Sequence, residues 1–460
     1  MPSTSCDWAH ARHHHEASDS LLPPLPTHGA ASAQGAARDA ACGTTQATVG
    51  PLPFVIQAEE ARSRWCFFSP GFRSLDVLLG DSRSAGGAEA QVAYLARALV
   101  ERGHEVTMIY GEGAKPTPDR TVAGVTCIDA APAWRRPASL ARFWRTIGRL
   151  RPDRLYARLP GDFLWLMGLY ARMCPGSRFV YALAHDSHAD ARTAYDHRRW
   201  FHAPLFGLGL RSAHVIAVQH RHQAAQVSLV TAGRVTWVPN LVRRIRAEPR
   251  PFLPAVIDVV WVAKIRHEKR LDLFLNLARS LPRMRFAVVG GFDPTVDEQA
   301  RIHLMERMAM LANVEWLGAL RADDVIDCLA RSRVLVNTSD REGFPNTMLE
   351  AWAMGVPVVS LRVDPGDVIR EYGLGRVSGS IEILCEDVLR LAVDARLNRI
   401  LGENGLAYVR RWHGSDAVCA ALGALATGPG GWHGRPLAGA YAGDIDPAHA
   451  REARSLDEVR

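Results

Sequence analysis

The feature that most constrains the fold of this chain is an alternation of short apolar runs and amphipathic segments, which occurs in two sets. In the first set, apolar residues between Val92 and Val100 recur at the spacing of one helical face, and the β-rich run EVTMIY follows. In the second set, apolar runs such as DVVWVA and RVLVNTS alternate with helical patterns in the same way. This alternation predicts parallel sheets with helices on both faces.

A segment rich in proline and arginine, RRIRAEPRPFLP at residues 243–254, separates the two sets and is typical of a linker. We therefore predict an α/β fold of two Rossmann-like, doubly wound domains, at residues 63–245 and 255–412, that face a central cleft. Residues 1–62 are rich in Ala, Ser, Pro, Gly and Thr without periodicity, which predicts a disordered extension. Residues 413–460 are predicted to form a C-terminal helix and a loosely ordered tail.

The composition narrows the classes of function. The net charge of +7 and the pI of about 9.1 favour anionic partners, and they are equally consistent with charges spread over solvated faces. The eight cysteines are scattered without a C-x-x-C pair, which argues against a zinc site and fits a reducing, cytoplasmic location. No apolar run approaches the roughly 18 residues that a membrane span needs. The N-terminal sequence lacks the pattern of a signal peptide, and its His run at residues 13–15 is interpreted as incidental rather than as a metal site.

Two glutamates follow the apolar run RVLVNTS, in the segment REGFPNTMLE that contains Glu342 and Glu350. Pro345 fits the first position of a helix, whose free N–H groups and partial positive charge would point into the cleft. Asn346 and Glu350 are four positions apart and share one face of that helix. The site would suit an anionic ligand with hydroxyl groups. The alternative is an ordinary helix start with two solvated glutamates.

Three other loops follow predicted strands, where ligands of open α/β sheets bind. Lys264 and Lys269 could grip a diphosphate, although basic loops are common. Gly86 and Gly87 would let the backbone approach a phosphate or sugar, or serve only a tight turn. His185 could bind a substrate hydroxyl or carry a proton, or be a satisfied core histidine.

The segment EGFPNTMLE resembles the E-x7-E signature of the family 4 retaining glycosyltransferases, which have the GT-B fold. The segments GGAEAQ, VYALAHD, VPN and WVAKIRHEKR resemble other parts of that family in the same order, from about residue 65 to about residue 425. One departure is Val262-Ala263-Lys264 where the family usually has Val-Gly-Arg, which keeps the charge but loses the bidentate fork of arginine.

The resemblance implies roles for these residues. Glu342 would contact the hydroxyls of the donor sugar, helped by the backbone N–H groups of Gly343, Phe344 and Asn346. Glu350 would hold the ribose diol. The residues expected to act in catalysis are Glu342, His185, Lys264 and Lys269. The residues expected to bind the donor are Gly86, Gly87, Gly343, Phe344, Pro345, Asn346, Thr347 and Glu350.

We therefore expect transfer of a sugar from a UDP- or GDP-sugar to an acceptor hydroxyl with retention of configuration, in cell-surface polysaccharide or glycolipid synthesis. The nucleotide-sugar is a substrate, so no cofactor is expected. No metal ion is expected either, because no Asp-x-Asp motif lies on a suitable loop. The acceptor is unknown, and a lipid-linked one fits the family.

Two rival functions are considered. A glycoside hydrolase would use Glu342 and Glu350 as its acid and base. A non-catalytic protein would bind nucleotide-sugars or nucleic acid through the basic runs, but these lack the aromatic platforms of strand binders, so nucleic acid is not expected.

The basic run RRPASLARFWRTIGRLR also suggests peripheral contact with the inner face of a membrane, through its arginines together with Phe143 and Trp144. The arginines in question are Arg135, Arg136, Arg142, Arg145 and Arg149.

Overall fold

The computed structural model describes residues 62–112, 117–133, 136–189, 201–228, 234–249 and 257–425. Within them, two sheets with helices on both faces form what we name the N-terminal lobe and the C-terminal lobe. The predictions for residues 1–61 and 426–460 concern parts of the chain outside this description.

The sheet of the N-terminal lobe has the strand order β3-β4-β2-β1-β5-β6-β7-β8 among the described residues, and only the β3–β4 pair is antiparallel. Its strands are β1 (Arg64–Phe68), β2 (Glu105–Tyr110), β3 (Arg120–Val122), β4 (Val125–Asp129), β5 (Arg154–Ala157), β6 (Arg178–Ala182), β7 (Val215–Val218) and β8 (Arg234–Trp237). Its helices are α1 (Arg73–Leu78), α2 (Gly87–Glu101), α3 (Pro137–Leu150), α4 (Leu164–Met173), α5 (His202–Ser212) and α6 (Arg221–Ser228).

The sheet of the C-terminal lobe is parallel throughout its described strands, in the order β11-β10-β9-β12-β13-β14. Its strands are β9 (Ile257–Val262), β10 (Phe286–Val289), β11 (Val314–Gly318), β12 (Ser332–Asn337), β13 (Val358–Ser360) and β14 (Gly375–Val377). The helices from this half of the chain are α7 (Leu271–Ser280), α8 (Glu298–Ala309), α9 (Ala322–Ala330), α10 (Asn346–Ala353), α11 (Val368–Tyr372), α12 (Ile381–Val393), α13 (Ala395–Trp412) and α14 (Ser415–Ala424).

The period-2 alternation of side chains places each strand between two cores. In β1, Trp65 and Phe67 face one core of the N-terminal lobe, and Cys66 and Phe68 face the other. A strand buried on both faces must be apolar throughout, as the run WCFF is. The next apolar run, LDVLLG, contributes to helix α1 instead.

The end of the described chain returns to the N-terminal lobe. Helix α13 contacts α10, and α14 then places Val418 and Leu422 in the core of the N-terminal lobe beside α2. Asp416 forms an ion pair with Arg102 at the end of α2. The two lobes are therefore connected both by the segment after β8 and by α14.

None of the described helices is both long enough and apolar enough to cross a bilayer.

The basic helix α3 differs from the prediction in one respect. Phe143 is 1% exposed and belongs to the core, and Trp144 packs edge-to-face on Tyr170 of α4. The prediction that Phe143 contacts a membrane is therefore wrong, because its position on the helix faces the sheet. Arg145 and Arg149 are exposed on the outer side, whereas Arg135 lies outside the described residues.

Candidate active site in the cleft

The segment after β12 forms a turn at residues 342–346, named here the 342–346 turn, and leads into α10. Pro345 has ψ of 124°, so it is the N-cap, and the helix begins at Asn346. The prediction that Pro345 is the first helical residue is wrong by one position, because its backbone stays extended. Gly355, with φ of +71°, ends the helix as predicted. The N–H groups of the first turn have no acceptor within the helix, and they carry its partial positive charge.

Glu342 and Lys269 form an ion pair in the cleft. The Nζ of Lys269 lies 2.5 Å from Oε1 of Glu342, and Ser339 donates its hydroxyl to the same oxygen at 2.7 Å. Both side chains are mostly buried, with 19% of Lys269 and 11% of Glu342 exposed. Lys269 is positioned because its carbonyl accepts a hydrogen bond from the hydroxyl of Thr338 at the end of β12. The structure thus joins two residues that the sequence predicted separately.

Lys264, which follows β9, has different partners. It donates to the carbonyl of Ser84 in the N-terminal lobe at 2.9 Å, and Asp293 lies 3.8 Å away. Burial and the nearby Arg73 cation lower the pKa of Lys264. Ser84 belongs to a segment that also caps α9, because the hydroxyl of Ser82 accepts the N–H of Ala322 at 2.7 Å. The loop before α2 therefore crosses to the C-terminal lobe beside Lys264.

Glu350 lies one turn into α10, on the same face as Asn346. It lines a small pocket with Gln91 and Tyr94 of α2. Although the residue is partly exposed, its carboxyl group is enclosed, and burial raises its pKa to about 7 against the opposing effect of Arg243. The remaining residues around this pocket are Leu241, Val242, Arg243, Ile326, Asn346 and Leu349. Both acidic residues therefore face the cleft rather than bulk solvent.

Two glycines allow the lobes to touch. A Cβ on Gly343 would lie 2.6 Å from Oε1 of Gln219, 2.8 Å from the carbonyl of Ala184 and 3.1 Å from the Cα of His185. At Gly87, which opens α2, the carbonyl accepts a hydrogen bond from the side chain of Asn346 at 3.0 Å. Gly86 is the N-cap of α2, and its N–H donates to Glu89. The Gly-Gly pair thus serves both as a helix start and as a contact between the lobes.

His185 follows β6 and is partly buried. Its Nδ1 accepts the N–H of Ser187 at 3.2 Å, so in the neutral ring the proton is on Nε2. The neighbouring His188 stays neutral, because burial, together with the neighbouring His185 ring and the Arg158 cation, lowers its pKa to about 3. The backbone of His185 lies against Gly343, which brings this histidine to the 342–346 turn.

Two protein-family models match the chain. The family model described as Glycosyltransferase Family 4 matches residues 85–244, and the one described as Glycosyl transferases group 1 matches residues 257–394. Together they cover most of both lobes, including α2, the segment after β6 and the 342–346 turn. The chain is a glycosyltransferase of the family 4 type.

Similar solved structures show that this glycosyltransferase has the GT-B fold. Sucrose-phosphate synthase from Thermosynechococcus elongatus is 19% identical, with a TM-score of 0.62 over 79% of this chain and 98% of that chain. Anabaena HepE, solved in complex with UDP and glucose, is 15% identical, with a TM-score of 0.58 over 79% of this chain and 99% of that chain.

Among curated relatives, a subunit of phosphatidylinositol N-acetylglucosaminyltransferase from Arabidopsis thaliana is 25% identical over 302 residues, or 60% of this chain. The glycosyltransferase spans 64% of the length of that relative, and between 34% and 64% of the length of three such relatives, which come from fission yeast, Arabidopsis thaliana and human.

The remaining predicted donor residues of the glycosyltransferase differ in their surroundings. Phe344 is 5% exposed, with its ring against Trp352 and His413. Its N–H donates to Gln219 of the N-terminal lobe at 3.3 Å, so in this arrangement a protein group uses the N–H that was expected to bind the sugar. Thr347 lies in the first turn of α10 and is partly exposed. The donor contacts of both residues remain predictions.

A set of buried polar side chains in the N-terminal lobe was missed by the sequence analysis. Asn240 donates to the carbonyl of Phe344 at 3.1 Å and to Oδ1 of Asn346 at 3.0 Å. Gln91 donates to the same oxygen of Asn346 at 3.3 Å. Gln91 and Asn240 stand within the segments GGAEAQ and VPN, but a neutral amide gives no pattern of charge or spacing that would mark it.

Among the described residues, no group of three or more His, Cys, Asp or Glu side chains is placed to hold a metal ion.

Proposed function

We propose that this glycosyltransferase transfers a sugar from a nucleoside diphosphate donor to an acceptor hydroxyl with retention of configuration. One observation carries the proposal. The Glu342–Lys269 pair joins the segments that follow β12 and β9, shortly before α10 begins, and Glu350 on α10 faces Gln91 and Tyr94 of the N-terminal lobe. This arrangement offers a carboxylate for sugar hydroxyls, a second one for the ribose diol, and positive groups for the diphosphate between them.

In the proposed reaction, the bond from the anomeric carbon to the diphosphate oxygen breaks, and its electron pair leaves with the diphosphate. The acceptor oxygen bonds to the anomeric carbon on the same face, and its proton passes to an oxygen of the departing diphosphate. Lys264, Lys269 and the N-terminus of α10 stabilise the negative charge that develops. To do so, the diphosphate must compete with Glu342 for Lys269 and with the Ser84 carbonyl for Lys264. We propose that these groups act without a metal ion.

A panel of UDP, GDP and ADP with their sugars tests the donor. We expect one base to raise the melting temperature by several degrees at saturating ligand, because binding to the folded state stabilises it. A carboxylate accepts both hydroxyl protons of a ribose only when ionised, and the pKa of Glu350 is raised to about 7. The shift should therefore grow between pH 6 and pH 8.

Two variants serve as controls for the panel. Glu350→Gln should reduce the nucleotide-induced shift and remove its dependence on pH, whereas Glu342→Gln should keep nucleotide binding and slow transfer. If both variants transfer sugar at the parent rate, the assigned roles are wrong. A nucleotide-induced shift without transfer to any acceptor would instead support a non-catalytic binding protein, and hydrolysis of aryl glycosides without a nucleotide would support a hydrolase.

We further propose a lipid-linked acceptor, reached at the cytoplasmic face of a membrane. The curated relatives include a phosphatidylinositol N-acetylglucosaminyltransferase, whose name specifies a lipid acceptor. The sequences of α3, α4 and α5 contain no Asp or Glu, and the three helices share one core beside the N-terminal sheet. Their outer sides expose arginines and apolar residues, which suit an anionic lipid surface. These residues are Arg145, Arg149, Leu169, Arg172, Met173, Leu208 and Arg211.

The double substitution Arg172→Glu/Arg211→Glu tests this surface by co-sedimentation with vesicles. We expect the parent to bind vesicles containing phosphatidylserine more tightly than pure phosphatidylcholine, and the variant to lose at least about tenfold, since each arginine near the surface contributes about 1 kcal/mol. The matched control, Arg301→Glu/Arg399→Glu, reverses two exposed charges on α8 and α13 of the C-terminal lobe and should bind like the parent. Equal binding of the parent to both vesicle types would contradict the proposal.

A further inference from the structure

Arg158 is an unusual residue of the N-terminal lobe. It follows β5 and is only 2% exposed. Its guanidinium donates to Oδ1 of Asn240 at 2.5 Å and to the hydroxyl of Tyr156 at 3.4 Å, and its Nε has no partner among the described residues. Both acceptors are neutral. Buried arginines are normally paired with a carboxylate, because burying an unpaired charge costs several kcal/mol.

The position of Asn240 explains what this charge does. Its Oδ1 accepts from Arg158 and also from Nε2 of Gln219 at 2.8 Å. Two donors on one side of the amide fix its orientation, so the Nδ2 amine must face the opposite direction. There it donates to the carbonyl of Phe344 and to Oδ1 of Asn346, both on the C-terminal lobe. Asn240 is thus the link between the buried arginine and the 342–346 turn.

The turn has several contacts with the N-terminal lobe that depend on this orientation. Asn346 can donate to the carbonyl of Gly87 because its own oxygen is turned toward Asn240 and Gln91. With the Phe344 carbonyl and the Asn346 side chain held in this way, the first N–H groups of α10 have no acceptor among the described residues and are available to a ligand. If the amide of Asn240 rotated by half a turn, its oxygen would meet the carbonyl of Phe344, and two repulsive contacts would replace two hydrogen bonds.

We propose that Arg158 is a positioning residue that acts through Asn240 and holds the 342–346 turn against the N-terminal lobe when the cleft is closed. The expected effect of Arg158 on kcat rests on the proposed glycosyl transfer, whereas its expected effect on the position of the 342–346 turn does not. The buried charge of Arg158 lowers the stability of the fold, but it polarises and orients the amide of Asn240. Substitutions of these two residues should therefore change stability and sugar transfer independently.

The decisive variant is Asn240→Asp, which has almost the same shape. Its carboxylate gives Arg158 an ionic partner, so we expect the melting temperature to stay within about 2 °C of the parent. It also removes both donors to the turn and places negative charge beside the Phe344 carbonyl. We therefore expect amide hydrogen exchange across residues 343–350 to become at least about tenfold faster. If the parent transfers sugar, the kcat of Asn240→Asp should be about 100-fold lower than that of the parent.

Three further variants make the test specific. Arg158→Gln should keep or raise the melting temperature while it speeds exchange at the turn, because it removes an unpaired buried charge. Asn240→Asp/Arg158→Gln should melt well below Asn240→Asp, since the introduced carboxylate then has no cation. Asn404→Asp is the matched control, because Asn404 is buried in α13 and, within the described part of the chain, its side chain donates only to the Gly373 carbonyl. It should lower stability without changing exchange at residues 343–350.

The readouts distinguish this inference from the proposed function. Unchanged hydrogen exchange in Asn240→Asp would overturn the positioning role of Arg158, whether or not the parent is active. A parent that transfers no sugar would overturn the proposed function, and the exchange experiment would still decide the inference. Faster exchange in Asn240→Asp together with a parent-like kcat would show that movement of the turn does not slow transfer. That result would overturn the proposed effect of Arg158 on kcat.

Discussion

Replacing Lys269 with methionine is expected to lower kcat about 100- to 1000-fold, the usual loss when one group that stabilises developing charge is removed. Lys269 is the cation paired with Glu342 at 2.5 Å, and we expect its charge to stabilise the departing diphosphate once the donor is bound. The measurement is the single-turnover rate with the donor that the nucleotide panel identifies. A variant with more than about one third of the parent rate would contradict this role.

The same position offers a more discriminating substitution, Lys269→Arg. Only three of the 55 basic residues are lysines, and two of these, Lys264 and Lys269, lie in the cleft. In a chain that otherwise uses arginine, a lysine at such a position indicates a need for a compact ammonium group rather than a planar fork. We expect Lys269→Arg to lose most of the activity despite its conserved charge. Arg301→Lys, on the exposed side of α8, is the matched control and should retain parent activity.

Replacing Gly343 with alanine is the second substitution with a large expected effect. The added Cβ would lie 2.6 Å from the side-chain oxygen of Gln219, 2.8 Å from the carbonyl of Ala184 and 3.1 Å from the Cα of His185. Two of these atoms are backbone, so the neighbours cannot move aside as a flexible side chain would. The lobes must then separate at the turn. We expect a loss of about 100-fold in kcat/KM, because displacement of about 1 Å is sufficient for such a loss.

The control for this prediction is Gly148→Ala on α3. A Cβ at Gly148 has no neighbour within 4 Å, and an alanine within a helix is more stable than glycine by about 0.5–1 kcal/mol. Gly148→Ala should therefore melt slightly higher and transfer sugar at the parent rate. Small-angle scattering with nucleotide bound would show whether Gly343→Ala stays open. A compact, fully active Gly343→Ala would contradict the closed contact as a requirement for transfer.

The architecture was predictable because it rests on local patterns. The run WCFF has the composition of a strand buried on both faces, and the spacing from Val92 to Val100 matches a helix that buries one face. The polar loops at strand ends then had to meet at one edge of each sheet, which brought Lys264, Lys269 and Glu342 to the cleft. The start of α10 was misplaced by one residue because helix boundaries depend on backbone angles that the residue type permits but does not dictate.

The family relationship agrees with the resemblance read from EGFPNTMLE, and the GT-B fold confirms the predicted pair of Rossmann-like domains. The relatives do not favour the alternative of a non-catalytic binding protein. The resemblance could not predict which protein groups the site residues contact in this structure. It assigned the backbone N–H of Phe344 to the sugar, whereas here that N–H donates to the side chain of Gln219.

The amino-acid sequence by itself determined the two α/β lobes, the charged loops that follow their strands, and the spacing of Glu342 and Glu350. Only the tertiary structure decided the partners: Lys269 with Glu342, 73 positions away, and Asn346 with Gly87, 259 positions away. The physical reason is that periodicity reports which face of an element is buried, but not which polar groups of another element it meets. The roles of a neutral amide such as Asn240 and of a buried arginine such as Arg158 are therefore seen only in their contacts within the tertiary structure.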